Sequence, residues 1–296
     1  MSAEIVIYVG TDRSQLLACR VLEYSIRKHT SSDVRFTSLA DMKLPEPKDN
    51  RNKARTGFSF ARFAIPALSD FQGRAIYLDA DMLVFKDVED LWNTPLGEAS
   101  LACQEELPEH VAETAPRAGE KRKKQCSVMV LDCEKLNWDA DNIISGLGKQ
   151  YSYEELMSDL CILTDAEISL NVPTHWNSLE YYDEATSLIH YTDMMTQPWV
   201  EPGNKNGWLW VDALRQMLSD GLIELAAVKL EIAEKYVRPS LMKELQSFKS
   251  GPLNDRQIAE LRTIDANAGF AAHAALRETP NLMTRVKNRL VHIITG

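Results

Sequence analysis

The first 92 residues alternate strand-like and helix-like segments, and this alternation restricts the fold more than any other feature of the chain. Three apolar runs have the composition of strands: 4–9, 34–39 and the run from 75 that leads into Asp79 and Asp81. Apolar side chains recur at helical spacing in three other segments: 14–28, 58–68 and 88–92. We therefore predict an α/β protein with an open mixed sheet and flanking helices.

Two aspartates, Asp79 and Asp81, close the third of these strands. Because a strand alternates its faces, we expect the two carboxylates to point the same way, roughly 6.6 Å apart in an extended chain. A buried carboxylate needs a partner, and a divalent cation held by oxygen ligands is the simplest one. Such a cation would also bind a diphosphate. The alternative is a turn at the end of the strand whose acids face water.

The polar turns after the first and third strands are expected at the same edge of the sheet. Gly10, Thr11 and Asp12 follow the first strand, and Asp79 and Asp81 end the third. Open α/β sheets bind their ligands at the carboxyl ends of the strands. The sequence therefore predicts a ligand site to which both turns contribute.

The composition is that of a globular enzyme, since 45% of the 296 residues are hydrophobic and 26% are charged. A net charge of -10 argues against a nucleic-acid binder. The chain begins without a signal-peptide pattern and has no apolar run near the ~20 residues that cross a bilayer, so a cytoplasmic protein is expected. The cysteines form no CxxC pair, which predicts reduced thiols: Cys19, Cys103, Cys126, Cys133 and Cys161.

Two features in the middle of the chain can be interpreted either as binding elements or as structural elements. The basic run 121–124 either contacts a phosphate or an acidic acceptor, or forms a solvated loop. Aromatic residues become dense between 151 and 210, where their rings either carry sugar faces or pack in the core, and core packing is the default. Four tryptophans belong to this region: Trp176, Trp199, Trp208 and Trp210.

The last part of the chain has a helical pattern over 226–245 and again over 254–270. We predict a catalytic domain at 1–225 and a helical C-terminal extension at 226–296. Residues 280–295 set apolar side chains against basic ones. This tail either makes a peripheral contact with the inner face of a membrane, or packs on the catalytic domain or on a second subunit of an oligomer.

Seven short segments follow one another in a specific order. They are Val9–Asp12, Tyr24–Ile26, Phe60–Phe63 with Pro66, Tyr77–Asp81, Cys126–Leu131, Asn171–Asn177, and His190–Tyr191 leading to Gln197–Trp199. This ordered set, spanning residues 4 to 210, resembles the family 8 glycosyltransferases, the group of glycogenin and bacterial lipopolysaccharide galactosyltransferases. The resemblance implies a GT-A fold, a nucleotide-diphosphate sugar as donor, Mn²⁺ or Mg²⁺ as cofactor, and transfer with retention at the anomeric carbon.

The resemblance also implies a metal site. Asp79 and Asp81, with Ala80 between them, match the family's Asp-x-Asp motif, in which the first acid also contacts the donor ribose. His190 matches the histidine that completes the site. A neutral imidazole beside carboxylates suits Mn²⁺. Without the other segments, the preferred interpretation of His190 is a buried histidine that is hydrogen-bonded to the backbone.

Further positions match donor-binding and catalytic residues of the family. Asp12 falls where the family contacts the nucleobase, and Gly10 and Thr11 before it are further donor-binding candidates. Arg62 falls where a helical arginine reaches the donor. Asp159 lies near the acidic residue on the acceptor side, so Arg62 and Asp159 are the catalytic candidates.

The sequence departs from the family pattern at several positions. Gln15 stands where the family has a tyrosine on the base, and Cys126 and Ser127 replace a Ser-Gly pair. Asp193 replaces a glycine. Gln197 stands where a lysine contacts the donor phosphates, so this residue is a donor-binding candidate without the cation's charge. The resemblance therefore describes a divergent member.

The resemblance implies a retaining hexosyltransferase that uses a UDP-linked donor. Its acceptor would be a carbohydrate or glycolipid, for example a bacterial surface glycan. The departures leave a second reading, a degenerate transferase that binds sugar nucleotides or serves as a scaffold subunit. A third reading compares Tyr77–Asp81 with the first motif of haloacid-dehalogenase-type phosphatases, but that motif normally opens the chain.

Overall fold

The computed structural model describes residues 4–47, 58–104 and 124–274. The tail 280–295 and residues 121–123 of the basic run lie outside these ranges, so the predicted membrane contact stays a prediction. No helix among the described residues is long and apolar enough to span a membrane.

Two sheets contain the strands of the described residues. The larger sheet contains β1 (Ile5–Gly10), β2 (Val34–Ser38), β3 (Arg74–Asp79), β5 (Leu101–Gln104), β6 (Gln125–Asp132) and β7 (Ile168–Val172). The smaller sheet contains β4 (Met82–Val84), β8 (Ser178–Leu179) and β9 (Leu188–His190). The strand order is β2-β1-β3-β6-β5-β7 in the larger sheet and β4-β9-β8 in the smaller one.

The helices of the described residues flank these sheets. They are α1 (Leu16–His29), α2 (Phe58–Ala61), α3 (Ile65–Leu68), α4 (Val88–Trp92), α5 (Ala140–Gly146), α6 (Tyr153–Ser158), α7 (Gly207–Ser219), α8 (Leu225–Ala233), α9 (Leu241–Ser247) and α10 (Asp255–Asn267). The segment predicted as one helix over 58–68 is divided into α2, a 3₁₀ turn and α3. Pro66 lies at the start of α3, where a proline without an N–H is tolerated.

The larger sheet is mixed, and both of its faces are covered. β1 is parallel to β2 and β3, whereas β6 is antiparallel to both β3 and β5. Alternate residues enter different cores: Tyr8 and Tyr77 belong to the cluster on one face, and Ile7 and Leu78 to the cluster on the other. The predicted class, an α/β protein with an open mixed sheet and flanking helices, is confirmed.

The chain turns between Asp79 and Asp81 instead of staying extended. β3 ends at Asp79, and β4 begins at Met82 in the other sheet. The backbone N–H of Ala80 donates to the carbonyl of Gly10, and the carbonyl of Asp81 accepts from Tyr191. Contacts with two distant segments therefore bend the chain here, and the expected extended spacing of the two carboxylates is wrong.

The helices after residue 225 share a core with the first part of the chain. The helical pattern predicted over 226–245 is divided into α8 and α9, and Lys235 between them has a positive φ of 62°. Val228 and Leu241 pack in one cluster with Leu17 of α1 and Trp210 of α7. The domain boundary between residues 225 and 226 stays a prediction.

Candidate metal and donor site

Three possible metal ligands converge where the two sheets meet. Asp79 ends β3, Asp81 precedes β4, and His190 ends β9. The antiparallel pairing of β4 with β9 sets Met82 opposite His190, which brings the imidazole to Asp81. One ligand atom from each of the three side chains lies within 4.8 Å of the others.

A second side chain fixes the orientation of the His190 ring. Nδ1 of His190 lies 3.0 Å from Oδ1 of the buried Asn177 and donates to it. Nε2 lies 3.1 Å from Oδ1 of Asp81, and in the neutral ring it carries the lone pair that a metal ion would use. A hydrogen bond to one ring nitrogen that leaves the other free is the usual arrangement of a metal-ligating histidine.

The ligand atoms of Asp79, Asp81 and His190 suit a divalent cation. Oδ1 of Asp81 is buried and accepts no hydrogen bond from the described residues. Burial raises the pKa of Asp79; nearby Arg62 opposes this shift, and the charge of Asp81 adds to it. Burial lowers the pKa of His190, but attraction to Asp81 outweighs this and raises it overall. Two buried carboxylates and an imidazole nitrogen suit Mn²⁺ or a similar ion, which would relieve their repulsion.

Asp79 is also held from its other side. The hydroxyl of Tyr77 donates to Oδ1 of Asp79 at 2.5 Å, and Nη2 of Arg62 lies 3.3 Å from the same oxygen. The Arg62 guanidinium stacks over the Tyr77 ring, 4.4 Å from its centroid. Its other nitrogens donate to the carbonyls of Ser59 and Cys126. Arg62 therefore positions the Asp79 carboxylate.

A cavity of about 220 Å³ opens beside Asp79. Its volume suits a single sugar unit better than a whole nucleotide sugar. Its wall combines both signs of charge with hydroxyl, thiol and aromatic groups. The residues that line it include Arg62, Asp79, Lys124, Cys126, Tyr153 and Glu154. Such a wall provides hydrogen-bond partners for sugar hydroxyls and a ring for a sugar face.

The turn after β1 lies directly beside Asp79. Gly10 is paired with Asp79, and a Cβ at Gly10 would come within 2.2 Å of the Tyr77 hydroxyl, so only glycine permits this approach. Thr11 is buried. Oδ1 of Asp12 accepts from the backbone N–H of Ser14 at 2.8 Å and caps the following 3₁₀ turn. The two predicted turns therefore meet, as expected, at the carboxyl ends of β1 and β3.

Gln197 lies behind Asp81, away from solvent. Its side chain is fully buried, and its Nε2 donates to Oδ2 of Asp81 at 2.9 Å and to the Tyr191 carbonyl at 3.1 Å. Both amide protons are therefore used within the protein. This placement suits a residue that orients a metal ligand, and its direct contact with a donor stays a prediction.

Asp159 directly follows α6, and its carbonyl accepts from Nζ of Lys124 at 2.9 Å. Among the described residues, the acid that lines the cavity from this helix is Glu154, and Asp159 is not part of the lining. The catalytic role of Asp159 stays a prediction.

Replacing Gln197 by methionine should weaken Mn²⁺ binding about tenfold, because Asp81 would lose the partner that fixes its orientation. Titration of the apo protein with Mn²⁺, followed by electron paramagnetic resonance, measures this directly. Gln104→Met is the matched control, since Gln104 is also buried and lies on a strand without a ligand. Unchanged Mn²⁺ affinity in Gln197→Met would show that Gln197 does not orient Asp81.

Sequence reasoning assigned no role to several residues of this site. Tyr77 lies two residues before Asp79, and the period of a strand places it on the same side, so this contact was accessible from the sequence. Asn177 belongs to one of the matched segments, but its bond to His190 depends on the pairing of β8 with β9. For Glu154 the sequence holds no signal.

Comparison with known proteins gives the relationship that the segments predicted. Residues 23–151 match the model of glycosyl transferase family 8. Over these residues the chain resembles the family 8 glycosyltransferases, as the ordered segments predicted. Protein CDI of Arabidopsis thaliana is 27% identical over 220 residues, which cover 70% of this chain and 80% of that protein.

Solved structures show the same fold at low sequence identity. The bifunctional glycosyltransferase WbbM aligns over 72% of this chain and 50% of its own, with 15% identity and a TM-score of 0.50. GlyE of Streptococcus pneumoniae TIGR4 aligns over 74% of this chain and 64% of its own, with 17% identity and a TM-score of 0.50. This chain therefore spans between half and two thirds of those structures. These likenesses establish a GT-A-like fold for this chain.

Proposed function

We propose that this chain is a metal-dependent glycosyltransferase that moves a hexose from a UDP-linked sugar to an acceptor hydroxyl with retention of configuration. The observation that carries the proposal is the convergence of Asp79, Asp81 and His190 beside a cavity that suits one sugar unit. The family match supports glycosyl transfer as the reaction. The base, the sugar and the stereochemistry come from the resemblance. A carbohydrate or glycolipid is the proposed acceptor.

The metal would be held by Asp79, Asp81 and His190. When bound, such a cation supplies Lewis acidity that neutralises the charge on the departing nucleoside diphosphate. By accepting from Nδ1, Asn177 orients the His190 ring so that Nε2 of the neutral imidazole would be the metal ligand. Gln197 holds Oδ2 of Asp81, which leaves Oδ1 directed at the metal position.

The cavity wall would orient the sugar for transfer. Arg62 fixes Asp79 through Nη2, and that carboxylate borders the cavity in which a bound sugar would gain oxocarbenium character as the bond to the diphosphate breaks. Glu154 and Lys124 reach the same cavity and are positioned to bind sugar hydroxyls. We assign no nucleophile: the acceptor hydroxyl attacks from the side of the leaving group and gives its proton to a phosphate oxygen of the donor.

A second candidate, a sugar-nucleotide-binding or scaffold subunit, is favoured by one observation. Gln197 stands at the position expected to grip the diphosphate, and its amide donates to Asp81 and to the Tyr191 carbonyl instead. A chain with intact metal ligands but weak contacts to the diphosphate would bind a nucleotide sugar without transferring the sugar. Nothing in the family match or the fold favours the phosphatase reading.

Thermal unfolding with a panel of nucleotide sugars, with and without Mn²⁺, tests the proposal. A donor at 100 times its Kd stabilises the folded state by about 2.7 kcal/mol, and we expect this only with Mn²⁺ present. The donor that stabilises is then assayed for release of nucleoside diphosphate. Stabilisation with release supports the transferase, and stabilisation without release supports the scaffold. Stabilisation by no nucleotide sugar contradicts both.

A further inference from the structure

The sugar cavity has a cysteine in its wall. All five cysteines of the chain lie in the described residues, and Cys126 of β6 is the one that lines the cavity with Asp79 and Arg62. Its thiol makes a weak contact of 3.9 Å with the Lys124 carbonyl. A small molecule that enters the cavity therefore meets this sulfur, although only 5% of Cys126 is exposed.

Cys103 lies beside Cys126 on the neighbouring strand. The β5–β6 register shifts between Cys103 and Gln104, so Gln104 pairs with Gln125 and Cys103 lies beside Cys126 across this bulge, in the same hydrophobic cluster. Neighbouring strands place cross-strand side chains at distances that a disulfide can bridge. The two thiols therefore form a pair of which one member reaches the cavity.

The charges around Cys126 favour its thiolate. A hydrogen bond from the Cys103 thiol lowers the pKa of Cys126, and the positive charges of Arg62 and Lys124 lower it further. Burial and the negative charge of Asp79 raise this pKa, but the lowering effects are larger. The other cysteines differ: burial raises the pKa of the exposed Cys161 and that of Cys133. The thiolate is the nucleophilic form of cysteine, so reactivity should follow this order and not the order of exposure.

We propose that Cys126 is a covalent modification site in the cavity wall, with Cys103 as its resolving thiol. The Cys126 thiolate attacks one oxygen of hydrogen peroxide, the O–O bond breaks, and sulfenic acid and hydroxide form. The Cys103 sulfur then attacks the sulfenic sulfur, its proton leaves with the hydroxyl as water, and a Cys103–Cys126 disulfide remains. Peroxide is reduced and the two thiols are oxidised. A small alkylating electrophile would instead stop at Cys126.

Modification would change the cavity that the proposed function assigns to the sugar, and this consequence alone rests on that function. An alkyl group on Cys126 would occupy space beside Arg62 and Asp79. Bound donor should in turn protect Cys126 from alkylation. The reactivity of the thiol itself needs neither donor nor metal.

Limited alkylation of the native full-length protein tests the site. With substoichiometric iodoacetamide at neutral pH, peptide mass spectrometry should find Cys126 labelled faster than Cys161, because the lowered pKa of Cys126 and the raised pKa of Cys161 give Cys126 the larger thiolate fraction. Cys161 is an internal control, since it is the more exposed of the two. Labelling of Cys161 with Cys126 untouched would overturn the proposal.

Peroxide treatment tests the resolving role of Cys103. The wild-type protein should yield a Cys103–Cys126 disulfide peptide that dithiothreitol reverses. Cys103→Ser should accumulate a sulfenic acid at Cys126 that dimedone traps. Oxidation confined to Cys161 would contradict the proposed pair. If Cys126 is labelled but a nucleotide sugar with Mn²⁺ gives no protection, the modification site stands and the sugar assignment of the cavity fails.

Discussion

Asp81→Asn should abolish metal-dependent transfer and leave the fold intact. The asparagine keeps an oxygen for the Gln197 amide but loses the charge that faces His190. We expect a fall in kcat/KM of about 10³-fold, equivalent to about 4 kcal/mol of transition-state stabilisation. Without metal the variant should be at least as stable as the wild type, because one of two close buried carboxylates becomes neutral. Steady-state kinetics and thermal unfolding with and without Mn²⁺ measure both effects.

Asp132→Asn is the matched control for this variant. Asp132 ends β6 opposite Arg74, the first residue of β3, so it lies at the edge of the sheet away from Asp79. Its replacement should leave both kcat/KM and the Mn²⁺-dependent rise in melting temperature unchanged. Turnover at the wild-type rate in Asp81→Asn would eliminate the proposed metal site.

Glu244→Gln should destabilise the whole described part of the chain by about 3–5 kcal/mol. Arg238 and Glu244 form an ion pair with almost no solvent exposure. Arg238 also donates to the Ser240 hydroxyl at 2.7 Å and to the Pro198 carbonyl at 2.9 Å. Removing the carboxylate leaves a buried guanidinium without its counter-charge, which is the costly way to break such a pair.

Equilibrium unfolding in urea measures this loss, with Glu260→Gln as the control. Glu260 pairs with Lys243 at 3.5 Å, and both side chains are more than two fifths exposed, so its loss should change the free energy of unfolding by less than about 0.5 kcal/mol. Pro198 follows Gln197, so the network joins the C-terminal helices to the segment behind Asp81. We expect one transition that shifts as a unit. Two separate transitions, with the first unaffected by Glu244→Gln, would show that residues before and after 225 unfold independently.

Local signals in the sequence were sufficient to predict most elements of the fold. β1 and β2 follow from apolar β-branched runs, and α4 occupies the predicted residues 88–92. The helix predicted over 58–68 is divided near Pro66, and a proline is a signal that the sequence itself contains. The strand order and the mixed directions depend on pairings between distant segments, which periodicity does not encode.

The candidate site was predictable in its residues more than in its geometry. Asp79 and Asp81 follow from a polar pair at the end of a strand, and His190 followed only from the family resemblance. The bend between the two acids depends on backbone hydrogen bonds to Gly10 and Tyr191, which are far away in sequence. The burial of Gln197 likewise arises from tertiary packing, so its position behind Asp81 could not be inferred from its residue type.

Anomalous scattering from Mn²⁺ in crystals grown with a nucleoside diphosphate tests whether Asp79, Asp81 and His190 form a metal site. We expect one manganese peak bounded by carboxylate oxygens of Asp79 and Asp81 and by Nε2 of His190, at about 2.0–2.2 Å from each, with the diphosphate on its open side. Asp81→Asn crystals should lack the peak. A nucleotide bound elsewhere, or a manganese ion that contacts none of these three residues, would rule out the proposed metal site.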